Sequence, residues 1–170
     1  MIVFGKEQNK ETLRRYVGDV HQIAGAMSFT YNDGRANGMD AVELRNGTGL
    51  RIVVLAGRCL DIVQAEYNGV PFAFLSKAGL SAASHYEKDA FLRNFTAGLL
   101  TTCGLLNVGE PCEDEGVWLP QHGRISNIPA EQVCVREEWL DDGRFAVSVS
   151  GKVRESSVMG ENLVLTRTIT

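Results

Sequence analysis

Apolar residues recur along the chain with two different periods. Near the start, Leu13, Tyr16, Val17 and Val20 are spaced i, i+3, i+4 and i+7, which places them on one face of a helix. Asn9 offers a side chain suited to capping that helix, and Gly18 marks its weakening end. Further on the period shortens to two. The stretch "GMDAVELRNGTGLRIVVLAG" predicts two strands joined at Asn46-Gly47, a dipeptide that tolerates the positive φ of a tight turn. "RCLDIVQAEYNGVPFAFL" predicts a second pair, hinged at Tyr67-Asn68-Gly69 and Pro71. "EQVCVREEWL", "GRFAVSVSGKV" and "ENLVLTRTIT" predict three more, with turns at Asp141-Asp142-Gly143 and Met159-Gly160. Phe145, Val147 and Val149 alternate with Ala146, Ser148 and Ser150, as a strand with one buried face requires.

Strands separated by short turns predict an all-β chain, an antiparallel β-sandwich or barrel-like sheet with a short N-terminal helix. The 170 residues suit one domain, and no linker, low-complexity segment or short repeat divides them. Residues 77–130 depart from this regularity. They are rich in Gly, Thr, Asn, Cys and Pro with little clean periodicity, and an interval of that length is either functional or contains elements that the sequence pattern does not reveal. "SHYEKDAFLRNF" is expected to include a helical turn.

Composition removes several function classes. Hydrophobic residues at 44% and charged residues at 22% describe a globular chain. A net charge of −4 gives no general attraction to nucleic acid or an anionic membrane. No run approaches the roughly 20 apolar residues of a membrane span, and the N-terminus turns polar too early for a secretory signal. The four cysteines (Cys59, Cys103, Cys112, Cys134) form no CxxC pair, so free thiols in a reducing cytoplasm are expected. The sequons at Asn46 and Asn94 are then coincidental. "GKVRESS" lacks the leading glycine of a phosphate loop, and Gly47-Thr48-Gly49 reads as a hairpin turn. No nucleophile elbow or H-E-x-x-H pair is present.

The candidate chemistry centres on "PQHGRISN". His122 sits in a Pro/Gly-punctuated loop, where a bend can aim an imidazole able to hydrogen-bond or exchange a proton into a cavity. Arg124 can hold an oxygen-rich ligand or a carboxylate. The bland alternative is a surface histidine and a surface arginine. Glu113-Asp114-Glu115 reads as a solvated acidic face before it reads as a base or a metal ligand. Cys103, Cys112 and His122 match no compact zinc spacing, so no metal is expected. Arg58 and Asp61 form a second polar pair beside apolar strand residues, as a structural ion pair or a ligand contact. Arg93, framed by Phe91 and Phe95, either reaches a cleft or snorkels to water. His21 and His85 are read as structural or exposed.

Three segments taken in order, "DGRANGMDAVELRNGTGLRIVVLAGRCLDIVQAEYNGVPFAFLSKAGL", "FLRNFTAGLLTTCGLLNVG" and "QHGRISNIPAEQV", resemble the aldose 1-epimerase-like proteins of the galactose mutarotase-like superfamily. Within them the chain is most similar to a bacterial branch carrying a domain of unknown function. The resemblance implies a β-supersandwich with a monosaccharide site on one face of a large sheet. Mutarotases interconvert the α and β anomers of a free aldose without metal or organic cofactor. A carboxylate takes the anomeric hydroxyl proton while a histidine protonates the ring oxygen. By the resemblance His122 takes the place of the first active-site histidine and Arg93 that of a sugar-binding arginine. Arg124 supports the loop, and Asp61 and Arg58 are weaker carry-overs. Family members run to roughly twice this length, within reach of one all-β domain. Their second histidine and glutamate base lie in the C-terminal half, and none of Glu113, Asp114, Glu115 or Glu161 matches the base position. The expectation is therefore an N-terminal half, 1–170, which is a mutarotase in its full-length form. The alternatives are a non-catalytic sugar-binding module and an inactive fragment. A half-sandwich leaves strand edges and an apolar face open, so a homodimer or higher oligomer is expected.

Overall fold

The computed structural model describes residues 1–3, 5–87 and 90–170. The chain opens with a small hairpin of β1 (Ile2–Val3) and β2 (Lys6–Glu7), then α1 (Lys10–Leu13). Asn9 caps α1 as expected: its Oδ1 accepts the Thr12 N–H at 2.8 Å, while Thr12 Oγ1 accepts the Asn9 N–H at 3.0 Å. The helix is one turn long. Leu13 and Val17 are buried and Val20 packs beside them, but Tyr16 points to solvent with 66% exposure. The predicted four-residue face therefore fails at Tyr16, because α1 ends before that residue.

Five strands follow in a meander: β3 (Gly25–Thr30), β4 (Asp40–Arg45), β5 (Leu50–Leu55), β6 (Asp61–Tyr67) and β7 (Val70–Pro71), each antiparallel to the last. The β4–β5 turn forms where Asn46-Gly47 predicts it. Asn46 Oδ1 accepts from Thr48 N (2.8 Å) and Leu50 N (3.0 Å), and Gly47 sits at φ +75°. The three-stranded sheet comprises β12 (Glu131–Trp139), β13 (Phe145–Ser156) and β14 (Asn162–Ile169), with β13 central.

The two sheets pack into an antiparallel all-β sandwich. Val42, Leu44, Val54, Ala56 and Leu60 meet Val147 and Val149, with Phe145 and Ile169 at the margin. Val53, Leu55, Val63 and Ala41 face the other way, onto Ala36, Met39 and Ala82. The five-stranded sheet is thus covered on both faces, which is why β5, after Arg51, ends in the unbroken apolar run "IVVL" of residues 52–55.

The irregular interval is built of very short elements. β8 (Phe74–Leu75), just before the interval, pairs with β9 (Ala97–Gly98) inside it, and α2 (Phe91–Asn94) lies between them in sequence. β10 (Cys112–Asp114) and β11 (Val117–Leu119) form a hairpin. Single 3-10 turns occupy Ala83–His85 and Ile125–Asn127. Within the predicted helical stretch 84–95, Lys88 and Asp89 lie outside the described residues. No helix is long and apolar enough to cross a membrane among the described residues.

Candidate functional site

The "PQHG" tetrapeptide closes as a β-turn. Gly123 N–H donates to the Pro120 carbonyl at 3.0 Å, and His122 occupies the third position with φ +60°. A non-glycine residue in that left-handed region is uncommon and needs support from its surroundings. The support comes from residues 104–110. His122 N–H donates to Gly109 O (2.9 Å), Gly104 N–H donates to His122 O (3.0 Å), and Asn107 Nδ2 donates to Pro120 O (2.9 Å). The fourth residue must be glycine. It sits at φ +73°, and a Cβ there would lie 2.1 Å from Gly104 O.

This loop fixes the imidazole. His122 Nδ1 lies 2.7 Å from the Val108 carbonyl, which can only accept, so Nδ1 carries a proton and donates it. Nε2 is the nitrogen left for other chemistry. The half-buried ring meets Phe91 edge-on, with centroids 4.8 Å apart at 70°, and Phe91 packs on Phe95 at 4.9 Å. Beside this cluster is a cavity of about 20 Å³, lined by Arg58, Tyr86, Phe91, Asn94, Gln121 and Asn127 among others. That holds a water or so, not a sugar ring.

Arg58 is the frame of the site. It is 4% exposed and meets no carboxylate within ion-pair distance among the described residues. Instead Nε donates to Ser126 O (3.0 Å), Nη1 faces Ser81 O (3.2 Å), Asn94 O (3.0 Å) and Thr96 Oγ1 (2.8 Å), and Nη2 donates to Asn127 Oδ1 (2.8 Å). Burial lowers its pKa and the Asp61 charge opposes that, but a guanidinium remains charged. One side chain thereby ties α2, which carries Phe91, to the turn that follows His122.

Of the two readings of Arg58 and Asp61, the ion pair is corrected: the two side chains do not meet each other. Asp61 accepts Thr102 N (3.1 Å), Thr102 Oγ1 (2.5 Å) and Arg167 Nη1 (3.1 Å). Burial raises its pKa, while the Thr102 hydrogen bonds and Arg167 draw it back. Between the two residues Cys59 and Leu60 adopt φ +53° and +55°, and this double left-handed step sends Arg58 and Asp61 to different partners.

Arg124, half-exposed, has Nε 3.4 Å from Glu155 and Nη2 3.4 Å from Glu161. Arg93 is exposed on α2, two residues from Phe91 and so off its face of the turn. The acidic residues Glu113, Asp114 and Glu115 lie exposed on the β10–β11 hairpin. No three His, Cys, Asp or Glu side chains converge as a metal site among the described residues. His122, Phe91 and the Arg58 frame are thus brought together, Arg124 continues the His122 loop toward Glu155 and Glu161, and Asp61 and Arg93 address other neighbours. Sequence reasoning missed Phe91 as a partner of the imidazole, although its i, i+4 spacing from Phe95 was visible. It also missed Asn127, Glu155 and Arg167, whose contacts span distant segments.

The model of the family described as "Domain of unknown function (DUF4432)" matches residues 36–170. No curated protein matches the sequence. Among solved structures, a crystal structure of a "putative aldose 1-epimerase" from Klebsiella pneumoniae subsp. pneumoniae MGH 78578 superposes with a TM-score of 0.74. The two are 19% identical, over 83% of this chain and 38% of that one. The shared feature is the aldose 1-epimerase-like fold, and this chain spans well under half of that protein's length. With its match running through both sheets and the His122 loop, the chain belongs to the DUF4432 family.

Proposed function

We propose that the chain supplies one wall of a carbohydrate site, and that the complete site interconverts the α and β anomers of a free aldose. The observation that carries this reading is the His122 imidazole, held by Nδ1–H to the Val108 carbonyl at 2.7 Å with its ring against Phe91. A pyranose offers apolar C–H faces and a rim of oxygens. An aromatic surface beside one oriented imidazole nitrogen complements both. Nε2 then contacts the sugar near its ring oxygen and, when protonated, donates to it as the ring opens. The fold likeness to a protein described as an aldose 1-epimerase supports the same class of ligand.

A second reading is favoured by the carboxylates. Glu155 and Glu161 are engaged by Arg124, Asp61 by Thr102 and Arg167, and the 113–115 run faces solvent. Glu87 is the one carboxylate among the described residues lining the small cavity. With Nδ1–H spent on the Val108 carbonyl, His122 offers one nitrogen, Nε2, and these engaged or solvent-facing carboxylates supply it no second acid–base group, which suits a module that binds a sugar without turning it over. Saturation transfer between the α and β anomeric protons of several free aldoses separates the two. Turnover that His122→Ala removes supports the epimerase; binding without turnover supports the module. Turnover that survives His122→Ala overturns the site assignment.

A further inference from the structure

Along β13 the inward row reads Val147, Val149, Gly151, Val153 and then Glu155, a carboxylate with 3% exposure where the pattern calls for an apolar residue. A buried carboxylate must find donors. Among the described residues Glu155 has two, one for each oxygen. Oε2 accepts the Leu105 N–H at 3.3 Å, and Oε1 faces Arg124 Nε at 3.4 Å. These donors belong to the two segments that hold His122. Leu105 follows Gly104, whose N–H donates to the His122 carbonyl at 3.0 Å. Arg124 follows Gly123, which is pressed against Gly104 O. Arg124 also meets Glu161 at 3.4 Å, and Glu161 accepts from Ser157 Oγ at 3.1 Å in the β13–β14 turn. The guanidinium is therefore restrained from two sides.

We infer that Glu155 is a positioning residue for His122: its buried carboxylate clamps both segments of the loop and so keeps Nδ1 on the Val108 carbonyl and Nε2 presented. Its functional purpose rests on the proposed sugar site, but the geometry is testable without any sugar. Glutamine at 155 keeps the shape and has one accepting oxygen, so it abandons one of the two donors. Lysine at 124 keeps the charge and loses Nε.

The test reads the ring nitrogens of His122 by long-range 15N–1H NMR at mildly alkaline pH, in the sugar-free protein and in Glu155→Gln and Arg124→Lys, with His21 and His85 as internal references. The parent is expected to show one tautomer, protonated at Nδ1. In both variants the His122 signals move toward a mixture of tautomers while those of His21 and His85 stay in place. Affinity for a free aldose falls about tenfold, with the circular dichroism spectrum unchanged. His122 signals identical to the parent in both variants overturn the inference. Should Glu155→Gln not fold, Arg124→Lys decides alone, since that side chain is partly exposed. If His122 moves but the parent binds no aldose, the clamp stands and the sugar reading falls. If parent and variants bind equally with His122 unmoved, the clamp falls and the sugar reading stands.

Discussion

Arg167 on β14 reaches Asp61 on β6, with Nη1 3.1 Å from Oδ1, and so ties the three-stranded sheet to the five-stranded one through a charged contact. The same guanidinium donates to Cys59 O (2.8 Å) and Thr102 Oγ1 (2.8 Å), and both charged partners are largely buried. Removing one member leaves the other desolvated and unpaired. Asp61→Ala and Arg167→Ala are each expected to cost about 3 kcal/mol in urea unfolding, with the double variant far from additive. Additive losses would show that the two side chains act separately.

Arg58→Lys is expected to behave as a severe change. Lysine carries the charge but cannot reach carbonyls in three segments as a planar fork does. A loss of about 3 kcal/mol in unfolding free energy is expected, together with movement of Phe91 and His122 ring signals. A variant as stable as the parent contradicts the role of Arg58 as the frame.

Gly123→Ala places a methyl group 2.1 Å from Gly104 O at a φ of +73°. The turn cannot absorb both problems, so a loss of about 1–3 kcal/mol is expected, with the largest NMR shifts in residues 104–109 and 120–124. Gly116→Ala, at φ +78° with no atom near its Cβ position, serves as the control for backbone strain alone.

His21 joins the N-terminal segment to the second sheet. Nδ1 lies 2.9 Å from Asp19 and Nε2 2.8 Å from Glu137, whose other oxygen accepts the Ala26 N–H at 2.5 Å. The Asp19 hydrogen bond first, and the Glu137 charge second, hold its pKa above the ordinary 6.5. A histidine with a raised folded-state pKa adds stability that is complete below the unfolded pKa and is lost as pH rises through the folded one. The stability difference between parent and His21→Gln is therefore expected to shrink as pH climbs from 6.5. A difference that is constant over that range contradicts the contact.

The outer edge of β14 motivates a prediction about association. Its eight residues contain no carboxylate, lysine or proline, and its one charge, Arg167, is spent on Asp61. An uncharged edge with Val164 exposed invites another strand. We expect a homodimer or higher oligomer of this chain in light scattering at micromolar concentration, and a Val164→Lys variant that is monomeric. A monomeric parent contradicts the expectation.

Much of the architecture was legible because β13 alternates cleanly at Phe145, Val147 and Val149, and because Asn46-Gly47 dictates its turn. The interval 77–130 was not, since strands of two or three residues such as β9, β10 and β11 are too short to establish a period. Asn9 was recognisable as a cap, but nothing local told Tyr16 that the helix would stop first. Within the site, His122 stood out by residue type and punctuation. Its geometry did not, because Val108 and Phe91 reach it from two separate segments.

The most direct test of a sugar site at His122 is titration of the 15N-labelled protein with free aldoses, following the His122 ring and the amides of residues 91–95 and 104–124. The account predicts saturable shifts centred on His122 and Phe91 that vanish in His122→Ala while the fold persists. Shifts that are absent for every aldose, or that persist unchanged in His122→Ala, would contradict it.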